Sequence, residues 1–474
     1  MGIILIILLA LVTVLIFNTI KFKGEDIGVR TAQPVKVNSQ RARENLSTLI
    51  KFETVSNADF DKTDKEVFAA YRAKLRELYP NVTATAEYKE LGNTAMLFKI
   101  SGKKSENPTV LMSHYDVVPV VEERWEHPPF SGEIIDGVLW GRGTIDTKIT
   151  MLGIMEALED LLETGYVPEN DLYLSFSGDE EVGGVSAPAV VDYMEANGIA
   201  PALVLDEGGA VVEGVFPGVD KPIAVIGIGE KGIAQVEFTA TSDGGHSSTP
   251  PVHTAVGKLA KTIVKLENKP FNAEVTRPIA GLFNKVGPYS SFALRMVFAN
   301  MWLFKGLICR LASVLGGEIN AMMRTTVAVT MAQGSKQHNV LPNVATANVN
   351  VRLLNNVNQQ QAMAHFESVC TEDVTCRFIS YQDASPYAST ESQAWRKVEK
   401  AVGETWRDAI VSPYLMLAGS DSRNFSRICR DVYKFSAIAL SKEERGLIHN
   451  DNERIAVEKI DQCVEFFHRL MLLL

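Results

Sequence analysis

The sequence is poor in cysteine and has no excess of positive charge. Its five cysteines among 474 residues are scattered, odd in number and without a CxxC pair, which argues against a disulfide framework. For Cys370 and Cys376, the sequence is consistent both with a disulfide between them and with two free thiols. Lys and Arg number 47 against 57 Asp and Glu, and this net charge of −10 disfavours a nucleic-acid partner, whose phosphates require a cationic face. The GxSxG motif of serine hydrolases, internal repeats and low-complexity tracts are also absent.

The N-terminus, in contrast, holds a long apolar run. Residues 3–17 are all apolar except for one threonine, and Lys21 and Lys23 follow the run. If the run is extended to Ile20, its length approaches the roughly 20 residues needed to cross a bilayer. A cleaved signal peptide would have a basic start and a small-residue cleavage site, and neither is evident. We therefore predict a retained membrane-anchor helix over residues 1–23, with a signal peptide or a buried soluble helix as the alternatives.

Apolar runs that alternate with helical spacing predict an α/β fold. Short apolar runs bounded by turn residues favour strands, and apolar residues at intervals of three and four favour helices. This alternation is typical of βαβ units, so we predict a catalytic domain with a mostly parallel sheet covered by helices on both faces. Ligands bind at the carboxyl ends of such strands. The predicted strands are 94–100, 109–112, 172–176 and 202–205, and the predicted helices are 42–50, 67–78, 150–164, 187–197 and 457–473.

The pattern changes near residue 223. Beyond it, runs that alternate between apolar and polar residues predict an antiparallel sheet with helices on it. The alternating runs are 234–240, 326–331 and 346–353. We therefore predict a smaller α+β lid domain over 223–379, which interrupts a catalytic domain made of 24–222 and 380–474.

One segment and one motif within the predicted lid need separate interpretations. The strongly apolar residues 292–315 favour packing in a core, with a membrane-facing or partner-binding helix as the alternative. Residues 227–232 match the dinucleotide motif GxGxxG, which requires a helix after it. Because 234–240 alternates like a strand, a turn between two strands explains these glycines, and we predict no dinucleotide.

Histidine and acidic residues concentrate in five segments that follow apolar runs or precede the last helix. Imidazole and carboxylate together suit Zn²⁺, with Co²⁺ or Mn²⁺ as substitutes, and crowded carboxylates repel one another unless a cation neutralises them. Taken alone, each segment has a simpler explanation, such as a hydrogen-bonded loop histidine, a helix cap or a solvated acidic loop. Taken together, they predict a metal centre. The segments are His114-x-Asp116, Gly141-Arg-Gly-x-x-Asp146, Asp179-Glu180-Glu181-x-Gly-Gly, Asp206-Glu-Gly-Gly and His449-Asn-Asp-Asn-Glu453.

In this order, and with Gly245-His246-Ser-Ser-x-Pro250 in the lid, the motifs resemble those of the dinuclear zinc aminoacylase/carboxypeptidase family. The chain is most similar to the branch of the carboxypeptidase S or Gly-Xaa carboxypeptidase type, which includes N-acyl-amino-acid hydrolases. The resemblance extends over about residues 40–474. It implies a catalytic α/β domain interrupted by a lid domain, as the change of pattern near residue 223 independently predicts.

The resemblance also implies a set of metal ligands at the matched positions. One zinc ion would be bound by His114 and Asp206. The other would be bound by Glu181 and His449, and Asp146 would bridge the two ions. The expected cofactor is therefore a pair of Zn²⁺ ions.

Three further features of the centre follow from the resemblance. Asp116 would orient His114 by binding its second ring nitrogen. Glu180 would be the general base, which takes a proton from the water between the metals and passes it to the leaving amine. A cis peptide bond is expected after the bridging acid, between Asp146 and Thr147.

The lid and the last part of the chain supply the candidate substrate contacts. His246 would stabilise the tetrahedral oxyanion, in many relatives from a partner subunit, so a homodimer through the lid is expected. Asn339 and Arg352 are candidates for contact with the substrate. Arg423 would grip a substrate carboxylate with two parallel hydrogen bonds, whereas a histidine often stands in relatives at the position of Asn424. A structural role is the alternative for each of these residues.

We therefore predict a membrane-anchored dinuclear zinc hydrolase. Its substrate would be a dipeptide or short peptide with a free carboxylate next to the scissile amide, with an N-acyl amino acid as the alternative. Two rival classes are a metal- or ligand-binding descendant without turnover, which the intact Glu180 disfavours, and a dinuclear phosphoesterase, which would need a cationic cluster. Lys21 and Lys23 favour a cytoplasmic catalytic domain, but the precedent of anchored hydrolases favours an extracytoplasmic one, which we predict.

Overall fold

The computed structural model describes residues 2–216, 218–315 and 317–474, which form a large mixed sheet, a smaller antiparallel sheet and the helices packed on them. The helices are α1 (Gly2–Lys21), α2 (Ser39–Ile50), α3 (Lys65–Leu78), α4 (Pro80–Thr85), α5 (Lys148–Glu163), α6 (Ser186–Ala196), α7 (Ala255–Asn268), α8 (Arg277–Val286), α9 (Phe292–Ala299), α10 (Met301–Leu315), α11 (Gly317–Met323), α12 (Gln359–Glu367), α13 (Gln393–Thr405), α14 (Lys442–Arg445) and α15 (Val457–Leu473). The strands are β1 (Glu87–Leu91), β2 (Ala95–Ile100), β3 (Lys104–His114), β4 (Ile134–Ile135), β5 (Val138–Trp140), β6 (Asn170–Ser177), β7 (Leu203–Asp206), β8 (Val211–Val212), β9 (Ile223–Glu230), β10 (Gly232–Thr241), β11 (Gly245–His246), β12 (Thr326–Gln333), β13 (Val340–Leu341), β14 (Val344–Leu353), β15 (Val374–Gln382), β16 (Ile410–Met416), β17 (Val432–Lys434), β18 (Ala439–Leu440) and β19 (Arg454–Ala456).

The large sheet has ten strands in the order β1-β2-β6-β3-β7-β17-β9-β8-β18, with β16 beside β9. Its centre is parallel, since β3 pairs in parallel with β6 and β7, and β7 with β17. Neighbouring residues of β3 point to opposite faces, so Leu111 joins the core that contains α5, whereas Val110 and Met112 join the core that contains α6. The predicted parallel sheet with helices on both faces is confirmed.

The smaller sheet is antiparallel, in the order β12-β14-β10-β15. Along β14, buried residues alternate with more exposed ones, because only one face of this sheet is covered. The buried residues pack against α7 and α12 and form a hydrophobic core of their own. The predicted lid with an antiparallel sheet therefore corresponds to this second layer of sheet and helices.

The domain boundary near residue 223 stays a prediction. Strand β9, which begins at Ile223, is hydrogen bonded to β16 and β8 in the large sheet. The core of the smaller sheet begins at Ala234, and helix α8 packs instead in the core of the large sheet. The chain thus returns to the large sheet once within the range assigned to the lid.

Most individual elements follow the sequence pattern. Each of the nine helices and strands predicted for the catalytic domain is present, with ends that differ by a few residues. The GxGxxG match lies at the end of β9 and the start of β10, so a strand follows it and the prediction of a strand-to-strand turn is confirmed. All five cysteines are free thiols.

Two apolar regions lie at the surface. Helix α1 is long and apolar enough to cross a membrane. Helices α9 and α10 meet at a bend of 109°, and they reach the length of a membrane span only if the two are counted as one. The expectation that residues 292–315 pack in a core holds for one side of the pair, where Phe298 and Ile308 contact the large core. The other side of α10 is exposed, as at Trp302 (64% exposed).

Candidate metal centre and active site

The topology brings three of the five histidine- and acid-rich segments to one edge of the large sheet. The parallel neighbours β6, β3 and β7 all end there. Strand β3 ends at His114, β7 ends at Asp206, and the turn after β6 carries Glu180 and Glu181. The carboxyl ends of adjacent parallel strands lie side by side, so residues far apart in sequence meet at this edge.

Asp146 lies at the middle of the resulting cluster, with one carboxylate oxygen directed at each of two histidines. Its Oδ1 is 3.1 Å from Nε2 of His114, and its Oδ2 is 3.0 Å from Nε2 of His449. Glu207 Oε1 lies 3.2 Å from the same nitrogen of His114, and Glu181 Oε2 lies 3.2 Å from that of His449. Two sets of three potential ligand atoms therefore share Asp146, and the atoms of each set lie within 4.8 Å of one another.

Asp116 fixes both His114 and the turn that carries the two glutamates. Nδ1 of His114 lies 3.0 Å from the backbone oxygen of Asp116 and 3.4 Å from its Oδ1. The carboxylate of Asp116 also accepts the backbone N–H groups of Glu180 and Glu181, at 3.2 and 3.1 Å. These contacts orient the imidazole, leave its Nε2 facing Asp146 and place the adjacent glutamates over the strand ends.

The loop before Asp146 is held by Glu453, a fully buried residue that follows the His449 loop. One oxygen of Glu453 accepts the backbone N–H groups of Ile145 and Asp146, at 2.6 and 3.1 Å. Its other oxygen forms an ion pair of 2.8 Å with Arg142. The peptide bond that leaves this loop, between Asp146 and Thr147, is cis, as the resemblance implies.

The carboxylates and histidines shift one another's protonation. Hydrogen bonds to Asp146 and Glu181 raise the pKa of His449 to about 10. Burial lowers the pKa of His114, but the charge of Glu207 and hydrogen bonds to its acidic neighbours outweigh burial and hold it well above its usual range. Burial raises the pKa of Glu207 to about 8 and that of Glu180 well above its usual range. Desolvated carboxylates of this kind gain stability when a cation neutralises them.

Asp206 and Glu207 divide the roles at the end of β7 in a way that the sequence did not indicate. Both carboxylate oxygens of Asp206 accept backbone N–H groups, from Glu207 and Ser422, at 2.9 Å each. Glu207 instead reaches His114. The sharp turn that follows needs glycine at Gly208, whose φ is 137° and where a Cβ would lie 2.7 Å from Sδ of Met416.

Two important residues were missed by the sequence analysis, although both lie in its motifs. Glu207 is the second acid of Asp206-Glu-Gly-Gly, and Glu453 ends the segment that begins with His449. No role was assigned to either, because a sequence shows which acids are near a motif but not which way each side chain points.

The cluster opens into a cavity of about 210 Å³ that Asp146, Glu180, Glu181, Glu207 and His449 line. A second cavity of about 220 Å³ adjoins it and shares Gly208, Ala210, Leu440 and Ile448 with it. The side chains of the second cavity are mostly apolar. They include Val212, Val215, Phe216, Leu282, Ile319 and Met322. A chamber lined by acidic residues is thus joined to one lined mostly by apolar residues, with Glu318 and Arg445 also on its wall.

The candidate substrate-contact residues fall in two places. Arg423 lies beside Gly419, which lines the acidic cavity, and donates a hydrogen bond of 2.9 Å to the backbone oxygen of Asp383. The backbone of Arg352, on β14, pairs with the neighbouring strands, but its guanidinium has no hydrogen bond or ion pair within the described part of the chain. Burial, together with the charge of Arg423, lowers its pKa.

His246 and Asn339 lie together on the short ribbon of β11 and β13, away from this cavity. The backbone N–H of Ser247 donates to the backbone oxygen of Asn339 at 3.1 Å. Both residues are exposed, and Nδ1 of His246 bonds only to Ser248, at 2.8 Å to its hydroxyl. Among the residues the structure describes, therefore, neither lines the acidic cavity.

Comparison with known proteins places these features in context. The sequence pattern of the family described as peptidase family M20/M25/M40 matches residues 110–473. The chain is 31% identical over 479 residues to the probable carboxypeptidase S-like 2 of Dictyostelium discoideum, covering 98% of this chain and 92% of that protein. It is 33% identical over 490 residues to the N-fatty-acyl-amino acid synthase/hydrolase PM20D1.1 of Danio rerio, covering 99% and 94%.

A solved structure shares the fold. The M20 family metallo-carboxypeptidase Sso-CP2 of Sulfolobus solfataricus superposes with a TM-score of 0.64 at 19% sequence identity, covering 91% of this chain and 99% of that one. At this level of identity the likeness concerns the fold alone. It agrees with the arrangement of a large sheet and a smaller antiparallel sheet described above.

Proposed function

We propose that this chain, which belongs to peptidase family M20/M25/M40, hydrolyses an amide bond next to a free carboxylate in a two-metal site centred on Asp146. Membership in the family makes the chain a metal-dependent hydrolase of the carboxypeptidase or N-acyl-amino-acid hydrolase kind. The observation that carries the proposal is the position of Asp146, whose two oxygens lie 3.1 and 3.0 Å from His114 and His449. A carboxylate between two imidazoles is the arrangement that a bridging ligand requires.

The donor atoms fit a pair of divalent cations. Imidazole nitrogens and carboxylate oxygens are ligands for Zn²⁺, and Co²⁺ or Mn²⁺ can substitute. Oε1 of Glu181 is buried and has no hydrogen-bond partner in the described residues, which is costly unless a cation or a water satisfies it. We assign one ion to His114 and Asp206 and the other to Glu181 and His449. Once bound, the ions would polarise the scissile carbonyl and lower the pKa of the attacking water.

Glu180 is the residue that moves the proton. It lines the cavity beside the ligands, and its backbone N–H is fixed by Asp116 at 3.2 Å. Burial raises the pKa of its carboxyl group well above the usual range, and a carboxylate with a raised pKa is a stronger base for taking a proton from water and passing it to the leaving nitrogen. Its neighbour Glu181 points to His449 instead, so the two adjacent acids have separate roles.

The free carboxylate of the substrate would be bound by Arg423 and Arg352. Two neighbouring guanidinium groups repel each other, and no acidic partner of Arg352 is present among the described residues. A carboxylate that binds between them would relieve this repulsion. The metal site, Glu180 and this pair together select an amide with a carboxylate nearby, as in a peptide C-terminus or an N-acyl amino acid.

We assign stabilisation of the oxyanion to His246, supplied by a second copy of the chain. Within one copy the ring lies on an exposed ribbon and, among the residues that the structure describes, bonds only to Ser248. A homodimer formed through the smaller sheet would bring this ribbon to the partner's cavity, and Asn339, on the same ribbon, would accompany it. The site would then be complete only in the dimer.

An N-fatty-acyl amino acid is the second candidate substrate, and the apolar cavity favours it. This cavity adjoins the acidic one through Ala210 and Ile448, so an acyl chain could lie in it while the amide reaches Asp146. Its mostly apolar lining would bind hydrocarbon by removing it from water. A dipeptide would leave this cavity unused.

We also propose that α1 is a retained membrane anchor. Its apolar side chains are almost all exposed, as in a helix that faces lipid. Its last turns are nevertheless part of the fold, since Thr19 is buried and the side chain of Asn18 donates to that of Asn300 at 2.8 Å. A signal peptide that is cut off would not need such contacts. The catalytic domain is assigned to the extracytoplasmic side.

The test is hydrolysis of a substrate panel by the full-length protein in detergent, loaded with zinc, cobalt or manganese. The panel contains dipeptides, N-acetyl amino acids and N-oleoyl amino acids, each with a matching amide that lacks the free carboxylate. We expect release of the amino acid only from compounds that keep the carboxylate, and loss of turnover with a chelator. Activity that persists in the chelator, or silence of the metal-loaded protein across the panel, would contradict the proposal, and silence would favour a binding protein.

A further inference from the structure

The helix pair α9 and α10 exposes an apolar stripe that the proposed chemistry does not use. Leu303, Leu307, Leu311 and Val314 follow one another at intervals of four, four and three residues, which places them on one side of α10. They are 43, 49, 44 and 81% exposed. On the opposite side, Ile308 and Ala312 contact the core of the large sheet. One side of α10 is thus attached to the protein while the other is an apolar surface.

This surface is joined to the end of the N-terminal helix by Asn300, at the bend between α9 and α10. Asn300 is fully buried, and its Nδ2 donates to the backbone oxygens of Met296 and Leu15, at 2.8 and 3.2 Å. Its Oδ1 accepts the side-chain amide of Asn18 at 2.8 Å. Because the fully buried Asn300 makes all three bonds, the helix pair and α1 hold a defined position relative to each other.

The contact points give the depth of the helix pair in a membrane. Leu15 and Asn18 precede Lys21, the charged end of α1, by six and three residues. At 1.5 Å per residue these positions lie about 9 and 4.5 Å inside the charged end of the helix. Amphipathic helices that lie in a membrane surface are buried about 5–10 Å into the boundary of headgroups and acyl chains. If α1 crosses a bilayer upright with Lys21 at its surface, the bend at Asn300 lies at the depth of a surface-bound helix.

The charges of the segment complement a phospholipid surface. Residues 292–315 contain Arg295, Lys305 and Arg310 but no acidic residue. Trp302 is 64% exposed at the start of α10, and tryptophan is enriched where membranes meet water. Long basic side chains can extend from an apolar surface to lipid phosphates.

We propose that α9 and α10 lie in the surface of the same phospholipid bilayer that α1 crosses, with the stripe of Leu303, Leu307, Leu311 and Val314 in contact with acyl chains. This inference rests on the part of the proposed function that makes α1 a retained anchor, and it does not depend on the reaction. The chain then contacts the membrane through two segments, α1 and the pair of α9 and α10. The catalytic part therefore has a fixed orientation relative to the bilayer, which a single anchor helix would not give it.

The apolar cavity lies close to the helix pair. Phe216 lines the cavity, and its ring lies 5.5 Å from that of Phe298 on α9. Ile319 on α11, the helix that follows α10, lines it as well. The helix pair is therefore adjacent to one wall of the cavity, through Phe216 and through α11.

Tryptophan fluorescence of the full-length protein in phospholipid vesicles tests the proposal. The chain has five tryptophans, and Trp302 is the one on α9 or α10, while α1 has none. In vesicles that contain brominated phospholipids, which quench nearby indoles, we expect clear quenching of the wild-type protein. We expect Trp302→Phe to lose this quenching and Trp125→Phe, the control, to keep it. Trp302 is exposed, so its replacement leaves the fold intact.

Flotation of the vesicles in high salt separates failure of the inference from failure of the anchor. Protein that floats with the vesicles but shows equal quenching before and after Trp302→Phe would overturn the surface-bound position while keeping the anchor. Protein that does not float would overturn both. A second copy of the chain or another protein seated on α10 would shield Trp302 from the lipid, so floating protein without quenching would also decide against the bilayer as the occupant.

Discussion

The carboxylate of Glu453 accepts the backbone N–H of Asp146 at 3.1 Å, although 307 residues separate the two along the chain. The same carboxylate binds Gly143, Ile145 and the guanidinium of Arg142. Because Glu453 follows the loop of His449 closely in sequence, this contact ties together the loops that carry two of the proposed ligands. Outer contacts of this kind set how accurately ligands are placed.

Replacing Glu453 by Gln should therefore weaken metal binding without removing a ligand. The NH₂ group of the new amide would face backbone N–H groups, and the loop of Asp146 would be held less firmly, so we expect the metal affinity to fall about 10–100-fold. Arg142 would be left buried without a counter-charge, so we also expect a loss of about 3–5 kcal/mol in the free energy of unfolding. Competition with a fluorescent zinc chelator and chemical denaturation measure the two effects. Glu443→Gln, at an exposed position on α14, is the control and should change neither.

Glu180 and Glu181 provide a test that separates proton transfer from metal binding. Glu180→Gln should keep the metal content and lower kcat by about 10²–10⁴-fold, the usual contribution of a general base. Glu181→Gln should lower the metal content, since it removes a proposed ligand. Elemental analysis and steady-state kinetics on the same preparations distinguish the two variants, and kcat near the wild-type value for Glu180→Gln would overturn its assigned role.

The two acids at the end of β7 can be separated in the same way. Both oxygens of Asp206 are held by backbone N–H groups, as ligating carboxylates commonly are, whereas Glu207 has His114 as its one close partner in the described residues. We expect Asp206→Asn to reduce the bound metal from two ions to about one, and Glu207→Gln to retain both. The reverse result by elemental analysis would assign the ligand position to Glu207.

Metal binding should release protons near neutral pH. Hydrogen bonds to Asp146 and Glu181 raise the pKa of His449 to about 10, so this imidazole carries a proton at pH 7 in chelator-treated protein. A ligating imidazole must be neutral, so we expect metal binding to release at least one proton, that of His449, and the metal affinity to rise with pH. Calorimetry in two buffers with different ionisation enthalpies measures this number. His449→Gln should lower it by about one, and heats independent of the buffer would contradict the assignment.

The same pKa shift sets the sign of the pH dependence of stability in chelator-treated protein. The pKa of His449 is higher in the folded state than the unperturbed value of about 6.5, so the folded chain binds more protons between these values. The stabilisation from its carboxylate partners is therefore complete below about pH 6.5 and is lost as the pH rises towards 10. Thermal denaturation of the wild type and of His449→Gln across this range measures the effect. The difference between their Tm values should become smaller as the pH increases.

Filling the apolar cavity should change acyl-chain preference. Val215 lines it and is partly buried, so a larger side chain there would take up space that a long acyl chain needs. If Val215→Trp displaces about three methylenes, at about 0.8 kcal/mol each, kcat/KM for an N-oleoyl amino acid should fall about 50-fold while that for an N-acetyl amino acid stays the same. Val167→Trp, at an exposed position, is the control. Equal effects on both substrates would show that the acyl chain lies elsewhere.

The local pattern of the sequence was enough to predict which segments form strands and helices. In β6, for example, the mostly apolar run 172–176 indicated a buried strand, and all residues of β6 but its first are buried. The positions of His114, Asp146, Glu181 and His449 in the motifs also sufficed to name residues that the structure brings together. Such features are short in range or have a distinctive residue order, so they can be read along the chain.

Side-chain direction and long-range pairing needed the tertiary structure. Glu207 and Asp206 are neighbours in one motif, and only the turn at Gly208 decides which of them reaches His114. The apolar segment 292–315 was expected in a core, but α10 is apolar on two sides and the protein can cover only one of them. Hydrophobicity is a property of the residues, whereas burial depends on what lies next to them.

The amino-acid sequence by itself determined the α/β fold class, the family and the kind of chemistry, because periodicity and motif order are written in consecutive residues. The tertiary structure alone decided that Glu453 holds the loop of Asp146, that an apolar cavity adjoins the acidic one, and that Asn300 fixes the apolar helix pair to α1. Each of these depends on contacts between residues far apart in the chain, and such contacts form only when the sheet has brought its strand ends and surface helices together.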